Sequence, residues 1–590
     1  MIRRALSGLA WGEFLVLAGC AAVPLLSLAA APWALLADPS SEVPVKLWVF
    51  ETFWRDGLFG GRIETAGWPN VGSLNNPDPM GTLVTGALRP MLGRIGAYNT
   101  LVYLQLLANM LAMRSLLGTI VGSPGARVYG AVAFGLTPLV LVYCVNGAVT
   151  DMLNLWPWVM ALRFGLGALR SGWREGAAAG LFAGLGFVTC PYNAVIFSVI
   201  AVPMAPFLYA LVRAGPSMET PATRGGMRVA GLGLIGIVFG AVLLTEPYAL
   251  WMDHILRAAD SQMSAETVAE TRHSAPYPYL QPTHPDRYTA FLSDYVATGK
   301  DALISREAGS RYFRAFSPGI SLLVLGIVGL VTQRRRAMVA MWWAVAAFCI
   351  TASLGPFTPL SAASSSPTPN NPVWLGLLAV WPGAPLLLEP FRYALPAVVG
   401  LAVAASCGVD ALASRFGRWV APAALTVWLL ELTLTSPVPL PLPVASFGRD
   451  DALQDLDRIL GPGAILSLPW FDRASDRFER VHFYQQLVHR RPIADEVKGF
   501  PPRYLCENNY TAALLELEKP TEGRIRVQVQ DRDRIEADRL LLVEDGFAGI
   551  VVNPAKFSSS LTRERVRGML KVWGAPTKMG GLEVYRLNAE

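Results

Sequence analysis

Apolar segments of about 20 residues, each long enough to cross a ~30 Å hydrocarbon core as a helix, recur from Gly12 to Ser436 and then stop. A water-soluble helix buries one stripe and keeps the opposite face polar, so repeated all-apolar runs exclude an ordinary soluble fold. Composition agrees: 53% of residues are hydrophobic and 16% charged, against roughly 25% charged in soluble domains. From Pro437 onward charge density rises sharply. The expected fold class is a polytopic α-helical membrane domain, residues 1–436, followed by a C-terminal soluble α/β domain, residues 437–590.

Hydropathy places about eleven transmembrane helices, at 12–37, 95–117, 127–148, 150–169, 176–191, 194–211, 229–250, 318–332, 338–355, 393–413 and 419–435. Arg3 and Arg4 precede the first run, as in a signal peptide, but the run exceeds the usual h-region, so an anchor with its N-terminus inside is expected. Lys and Arg in short loops favour the cytoplasmic side. Arg170 with Arg174, Arg213 with Arg224 and Arg228, Arg334 to Arg336, and Arg415 with Arg418 then share the inner face. The net charge of +6 resides largely in such clusters, which makes them topology signals and excludes nucleic acid as the reading. One apolar segment, 373–388, is short and broken by Pro382 and Pro385, and is expected to be re-entrant or interfacial. That leaves the C-terminal domain outside the cytoplasm.

Three outer stretches carry most of the polar material: 38–94, 252–317 and 437–590. In the first, Leu47, Phe50, Trp54 and Leu58 share a helical face opposite Glu51 and Arg55, which predicts an amphipathic helix on the membrane surface. The second, with Tyr277, Pro278, Tyr279, Pro282, His284 and Pro285, disfavours regular helix. The third alternates helical stretches with β-rich runs at 464–468, 549–552 and 582–587, the pattern of a small α/β layer.

Ionisable side chains near a membrane are costly to place and are candidate sites for that reason. Asp38 and Glu42 follow the first span, Asp78 stands before Pro79, Asp151 lies in a short connection, and Glu389 with Arg392 precedes a late span. Glu42 or Asp38 at a helix start is placed for general-base chemistry, and capping of that helix accounts for the same residues. Thr150 or Asp151 has the same two readings. Arg392 lies where a lipid phosphate would sit, and a guanidinium suits phosphate oxygens; Glu389 is its alternative partner. His482 and His489 share a helical face that Glu479 could join, but a soluble amphipathic helix explains them as well, and no metal is expected. Neither a Cys-pair zinc pattern nor a Gly-rich phosphate loop is present, so no cofactor is expected.

The order of these parts resembles the GT-C superfamily of integral-membrane glycosyltransferases, in particular bacterial members with a C-terminal soluble domain. The resemblance spans most of the chain and rests on few motifs. They are the acidic first outer loop running into Lys46-Leu47-Trp48, Asn76-Pro77-Asp78-Pro79-Met80-Gly81-Thr82, Arg89-Pro90, Ala97-Tyr98-Asn99, Pro390-Phe391-Arg392-Tyr393, and the segment 484–493 from Tyr484 through His489 to Pro492 and Ile493. It implies a multi-pass protein of the bacterial inner (cytoplasmic) membrane that transfers a sugar from a polyprenyl-phosphate donor to a glycan, lipid or protein acceptor of the cell envelope, on the extracytoplasmic side. By the same resemblance an acid of the first outer loop is the base; here that is Glu42, or Asp38 because the usual residue is Asp. Asp151 would be a second acid and Arg392 the donor-phosphate contact. A lipid or glycan transporter or flippase explains the spans equally well, the broken segment at Pro382 and Pro385 then being a discontinuous helix. A catalytically inactive envelope-binding scaffold is the third class.

Overall fold

The computed structural model describes residues 10–37, 41–57, 62–63, 66, 72–73, 78–146, 151–214, 224–260, 316–333, 336–355, 371–381, 390–436, 438–446, 453–470, 480–495, 504–505, 508–518 and 532–587. Asp38, Glu389, Glu479, Pro382, Pro385, Cys506 and nearly all of the second outer stretch lie outside the described residues.

The chain begins with α1 (Trp11–Ala22), the short strand β1 (Leu35–Leu36) and α2 (Val43–Thr52). A small ladder of β2 (Arg62–Ile63) with β3 (Gly72–Ser73) leads to α3 (Pro79–Leu117). Asp78 caps α3 with Pro at its first position, a strong start signal, and the helix is broken midway at Gly93, whose φ of 67° follows Pro90. Next come α4 (Pro124–Gly135), α5 (Pro138–Asn146), α6 (Trp156–Ser171), α7 (Trp173–Thr189), α8 (Pro191–Ser198), α9 (Ala201–Ala214) and α10 (Arg224–Asp260). The helical part ends with α11 (Ile320–Thr332), α12 (Arg336–Ser353), α13 (Pro372–Val380), α14 (Ala394–Phe416) and α15 (Val420–Thr435).

The central element is α14, buried continuously from Ala394 to Val409 and packed against α4, α11 and α12. Its small residues permit this: a Cβ at Gly408 would lie 1.9 Å from the Leu325 carbonyl oxygen. Helices α7 and α10 approach the same way, since a Cβ at Gly180 would fall 2.0 Å from Ile237 O and one at Gly240 would fall 2.3 Å from Ala177 O. The other face of α10 exposes Leu234, Ile235, Val238, Phe239 and Leu243, a continuous apolar surface suited to lipid and not to water. Among the described residues three helices are long and apolar enough to cross a membrane, Pro79–Leu117, Gly231–Leu250 and Pro390–Phe416, or four if α4 and α5, bent by 45°, make one span. Five more apolar helices are shorter. The nine residues of α13 rise about 13 Å, under half the hydrocarbon thickness, and Asn371 caps them by accepting from Val373 N and Trp374 N.

The C-terminal part starts at β4 (Val444–Ala445), which pairs antiparallel with β1. It continues with β5 (Ala464–Leu468), α16 (Val481–His489), α17 (Asn509–Glu518), α18 (Arg532–Glu544), β6 (Phe547–Val552), α19 (Ser560–Leu570), β7 (Thr577–Met579) and β8 (Leu582–Arg586). The sheet runs β5-β6-β8-β7, with β5 parallel to β6 and the other pairs antiparallel. Alternation along β6 sends Ile550 and Val552 to a core shared with Leu514, Leu542 and Leu570, and Val551 to a second core with Leu456, Leu460 and Val584. A β-sheet carrying helices is therefore present where the sequence suggested one, with the added strand β7.

The expected amphipathic surface helix is corrected by α2, in which Val43 to Phe50 and Thr52 are all buried. One face rests on α3 and another receives α16 from the C-terminal part. Periodicity saw one apolar strip because the polar residues of the others, Lys46 among them, are buried in ion pairs.

Candidate functional site

Asp151 sits in a turn that two asparagines hold in place. Asn109 Nδ2 donates to Leu153 O at 2.8 Å and its Oδ1 accepts from Leu155 N at 3.1 Å, while Asn193 Nδ2 donates to Met152 O at 3.3 Å. It does not cap α6, which begins after Leu155 with no side-chain cap. Its carboxylate instead meets Lys46 of α2, with Nζ to Oδ1 at 3.1 Å and both side chains almost wholly buried. Each buried ion costs several kcal/mol of desolvation, so each requires the other.

Asp78 joins this pair. It is fully buried, its Oδ1 accepts from Gly81 N at 2.8 Å, and its Oδ2 has no hydrogen-bond partner among the described residues. A Cβ at Gly81 would stand 2.6 Å from that oxygen and 2.6 Å from the Phe50 ring, so only glycine leaves the carboxylate its room. Burial pushes Asp78 up to about 6; Lys46 opposes the shift and Asp151 adds to it. For Lys46, burial alone acts downward, but the attraction of Asp151 and then Asp78 outweighs it and the ammonium is held above its ordinary value. Two carboxylates thus share one cation, and burial favours the protonated form of Asp78 more than in a solvent-exposed carboxyl.

Around this group stand residues from three further helices. Cys190, before α8, lies within electrostatic reach of Asp151, Arg392 and Lys46, and Tyr248 of α10 within reach of Asp78 and Asp151. The Arg392 guanidinium lies over the Tyr192 ring, 5.3 Å from its centroid. Asp151 and Arg392, singled out in the sequence, therefore border one region. Glu42 does not join it: its carboxylate pairs with Arg480 at 3.2 Å, just before α16. Asp38 lies outside the described residues. Lys46 and Asp78 were named in the sequence without a role; a lone Lys in the apolar run Val45-Lys46-Leu47-Trp48-Val49 is the signal that could have marked a buried, paired cation.

The C-terminal part clamps this arrangement. Trp48 Nε1 donates to Gln486 Oε1 at 2.7 Å, and the Trp48 and Phe483 rings meet edge-on at 5.3 Å. Glu51 binds Arg89 at 2.9 Å and Arg94 at 3.5 Å, and Arg94 also reaches Leu487 O. The two histidines of α16 have separate partners. His482 Nδ1 contacts Asp495 at 2.9 Å, whereas His489 Nδ1 accepts from Arg491 N at 3.1 Å. Burial, then Arg491 and His482, lowers His489 to about 3, which keeps it neutral. No group of three or more potential metal ligands occurs among the described residues.

No protein-family model matches the sequence, and no curated protein matches it. Solved structures match in fold. The apo oligosaccharyltransferase of Archaeoglobus fulgidus superposes with a TM-score of 0.52 at 12% identity, over 93% of this chain and 70% of that one. An arabinofuranosyltransferase from Mycobacteria gives a TM-score of 0.52 at 16% identity, over 99% of this chain and 42% of that one, so the present chain spans less than half its length. These matches show that the chain shares its fold with the oligosaccharyltransferase and with the arabinofuranosyltransferase.

Proposed function

We propose that the protein is a membrane glycosyltransferase that moves a sugar from a polyprenyl-phosphate donor to a cell-envelope acceptor on the extracytoplasmic side. The observation that carries this reading is the buried group of Asp78, Asp151 and Lys46, with Arg392 at its border. The two solved structures compared above bear the names of sugar transferases, which adds support.

In this reading Asp78 Oδ2 takes the proton of the acceptor hydroxyl as its oxygen bonds to the anomeric carbon. The bond from that carbon to the phosphate oxygen breaks, and the lipid phosphate departs with the electron pair. Arg392 stabilises the departing phosphate, a role to which the geometry of a guanidinium is suited. Asp151 holds Lys46 beside Asp78 and so sets the field in which the base titrates. Glu42, engaged by Arg480, acts as a positioning residue for α2, and the general-base role expected of it passes to Asp78.

Purified protein given labelled polyprenyl-phosphate sugars is expected to release lipid phosphate. Asp78→Asn is expected to lower turnover by about 10²–10⁴-fold, the usual contribution of a positioned base, while Glu42→Gln changes it far less. Equal activity of Asp78→Asn and wild type would refute the assignment of the base. If no donor turns over and membranes of a deletion strain accumulate no lipid-linked sugar, transport or scaffolding replaces transfer.

A further inference from the structure

Helix α3 is longer than one crossing requires. Its 39 residues would rise about 58 Å if straight, nearly twice the ~30 Å hydrocarbon core. The break at Gly93 divides it, and residues 94–117 alone rise about 36 Å, enough to cross. Residues 79–92, between the Asp78 cap and the break, are therefore surplus to the span.

The two faces of this segment are reversed relative to a helix that meets water. Small and polar residues face the protein: Gly81, Thr82, Thr85 and Gly86 are buried beside the capping Asp78. A Cβ at Gly86 would lie 2.4 Å from the Trp54 ring, and Glu51 draws Arg89 to the same side. The opposite face is apolar throughout. Leu83, Ala87 and Met91, four apart and so stacked on successive turns, are exposed, Leu83 by 51% and Met91 by 83%; exposed Pro90 and half-buried Met80 and Val84 flank them. No charged or hydrogen-bonding side chain interrupts that stripe. A soluble helix carries the reverse pattern, and a contiguous apolar face of this kind marks an interaction surface.

We propose that residues 79–92 lie along the membrane, with the stripe of Leu83, Ala87 and Met91 among the acyl chains just beneath the headgroups of the leaflet nearer Asp78. Continuity commits the stripe to lipid: Met91 stands two residues before Gly93, and the chain beyond that glycine is long and apolar enough to cross the hydrocarbon. At Gly93 a φ of 67°, open to glycine, lets the chain turn from the membrane plane into the span, and Pro90 weakens the helix just before it. The surface helix that periodicity placed at Leu47 to Leu58 is thus found in the next long element, with its polar side turned inward. A helix with its side chains is about 10 Å across, so Asp78 and Thr82 stand within roughly that distance of the acyl chains. In the proposed transferase reaction, on which this one consequence rests, the base meets a lipid-borne substrate at headgroup level.

The test measures depth and needs no turnover, so its outcome is separate from that of the transferase reaction. Full-length protein in lipid nanodiscs receives a nitroxide at Leu83→Cys, Ala87→Cys or Met91→Cys, one at a time, and the labelled unsubstituted protein gives the background. Leu234→Cys on the lipid-suited face of α10 and Lys578→Cys on the exposed edge strand are the references. Power-saturation EPR compares collisions with oxygen, which concentrates in lipid, and with a nickel complex confined to water. All three sites are expected to favour oxygen, as Leu234→Cys does, at depths that agree within about one helical turn, ~5 Å. Nickel access like that of Lys578→Cys at any of the three overturns the proposal, because the stripe would then face water. Loss of access to both reagents also overturns it, the stripe then being covered by another part of the chain or by a second copy. So does a spread of about 12 Å between Leu83→Cys and Met91→Cys, the separation along a helix that stands upright.

Discussion

At the scale of single residues, the chemistry depends on how the charge of Lys46 is divided between Asp151 and Asp78. Removing the cation by Lys46→Met leaves buried carboxylate without its partner and is expected to destabilise the protein by about 3–5 kcal/mol. Adding Asp151→Leu is expected to restore most of that loss, which a double-mutant cycle by thermal unfolding would measure. If the double variant is as unstable as the sum of the singles, the pair is not coupled. Asp78 has a second consequence. Its folded value near 6 lies above the ordinary 3.8, so the native state holds the proton more tightly and stability declines as pH rises through that interval. Activity runs the opposite way, with kcat/KM rising through about pH 6 as the base ionises, and this rise is absent in Asp78→Asn. The sequence named Asp78 and Asp151 as costly acids, but not their roles. Whether such an acid caps a helix or joins an ion pair depends on a Lys that is 105 residues away from Asp151 in the chain.

At the scale of elements, the strongest constraints are glycines that let helices touch. Gly180 of α7 faces the α10 backbone with no room for a methyl group. Gly180→Val is expected to force α7 and α10 apart and to cost about 1–3 kcal/mol, seen as a lower Tm, whereas the same change at Gly165, where a Cβ meets nothing within 4 Å, is tolerated in packing. Legibility varied with what covers each element. The runs at 464–468, 549–552 and 582–587 match β5, β6 and β8 closely because β5 and β6 are buried throughout and mostly apolar, and β8 buries Leu582, Val584 and Tyr585. Strand β7, Thr577–Met579, is an exposed edge of polar residues and gives no periodic signal. Helix α2 gave a misleading one, because α16, its cover, comes more than 400 residues later.

On the scale of the whole molecule, hydropathy read the helical domain correctly in kind, while the individual helices are more varied than a row of equal spans. Bends at Gly93 and between α4 and α5, and the brevity of α13, are set by Pro and Gly in contexts that a running average smooths over. The expected orientation has a direct check. A membrane-impermeant maleimide is expected to label Lys578→Cys, on the exposed edge strand, in intact cells, and Arg174→Cys only after permeabilisation. Labelling of both or neither in intact cells would contradict the assigned sidedness.

The bond from Trp48 to Gln486 joins positions 438 residues apart. Translation at about 5–20 residues per second separates the two by roughly 20–90 s. During that interval α2 is already made but its cover is not, so Lys46 waits in an incomplete setting. The proposed catalytic group is therefore assembled only when synthesis has nearly finished, and an interrupted chain carries the lipid-facing helices without a competent site.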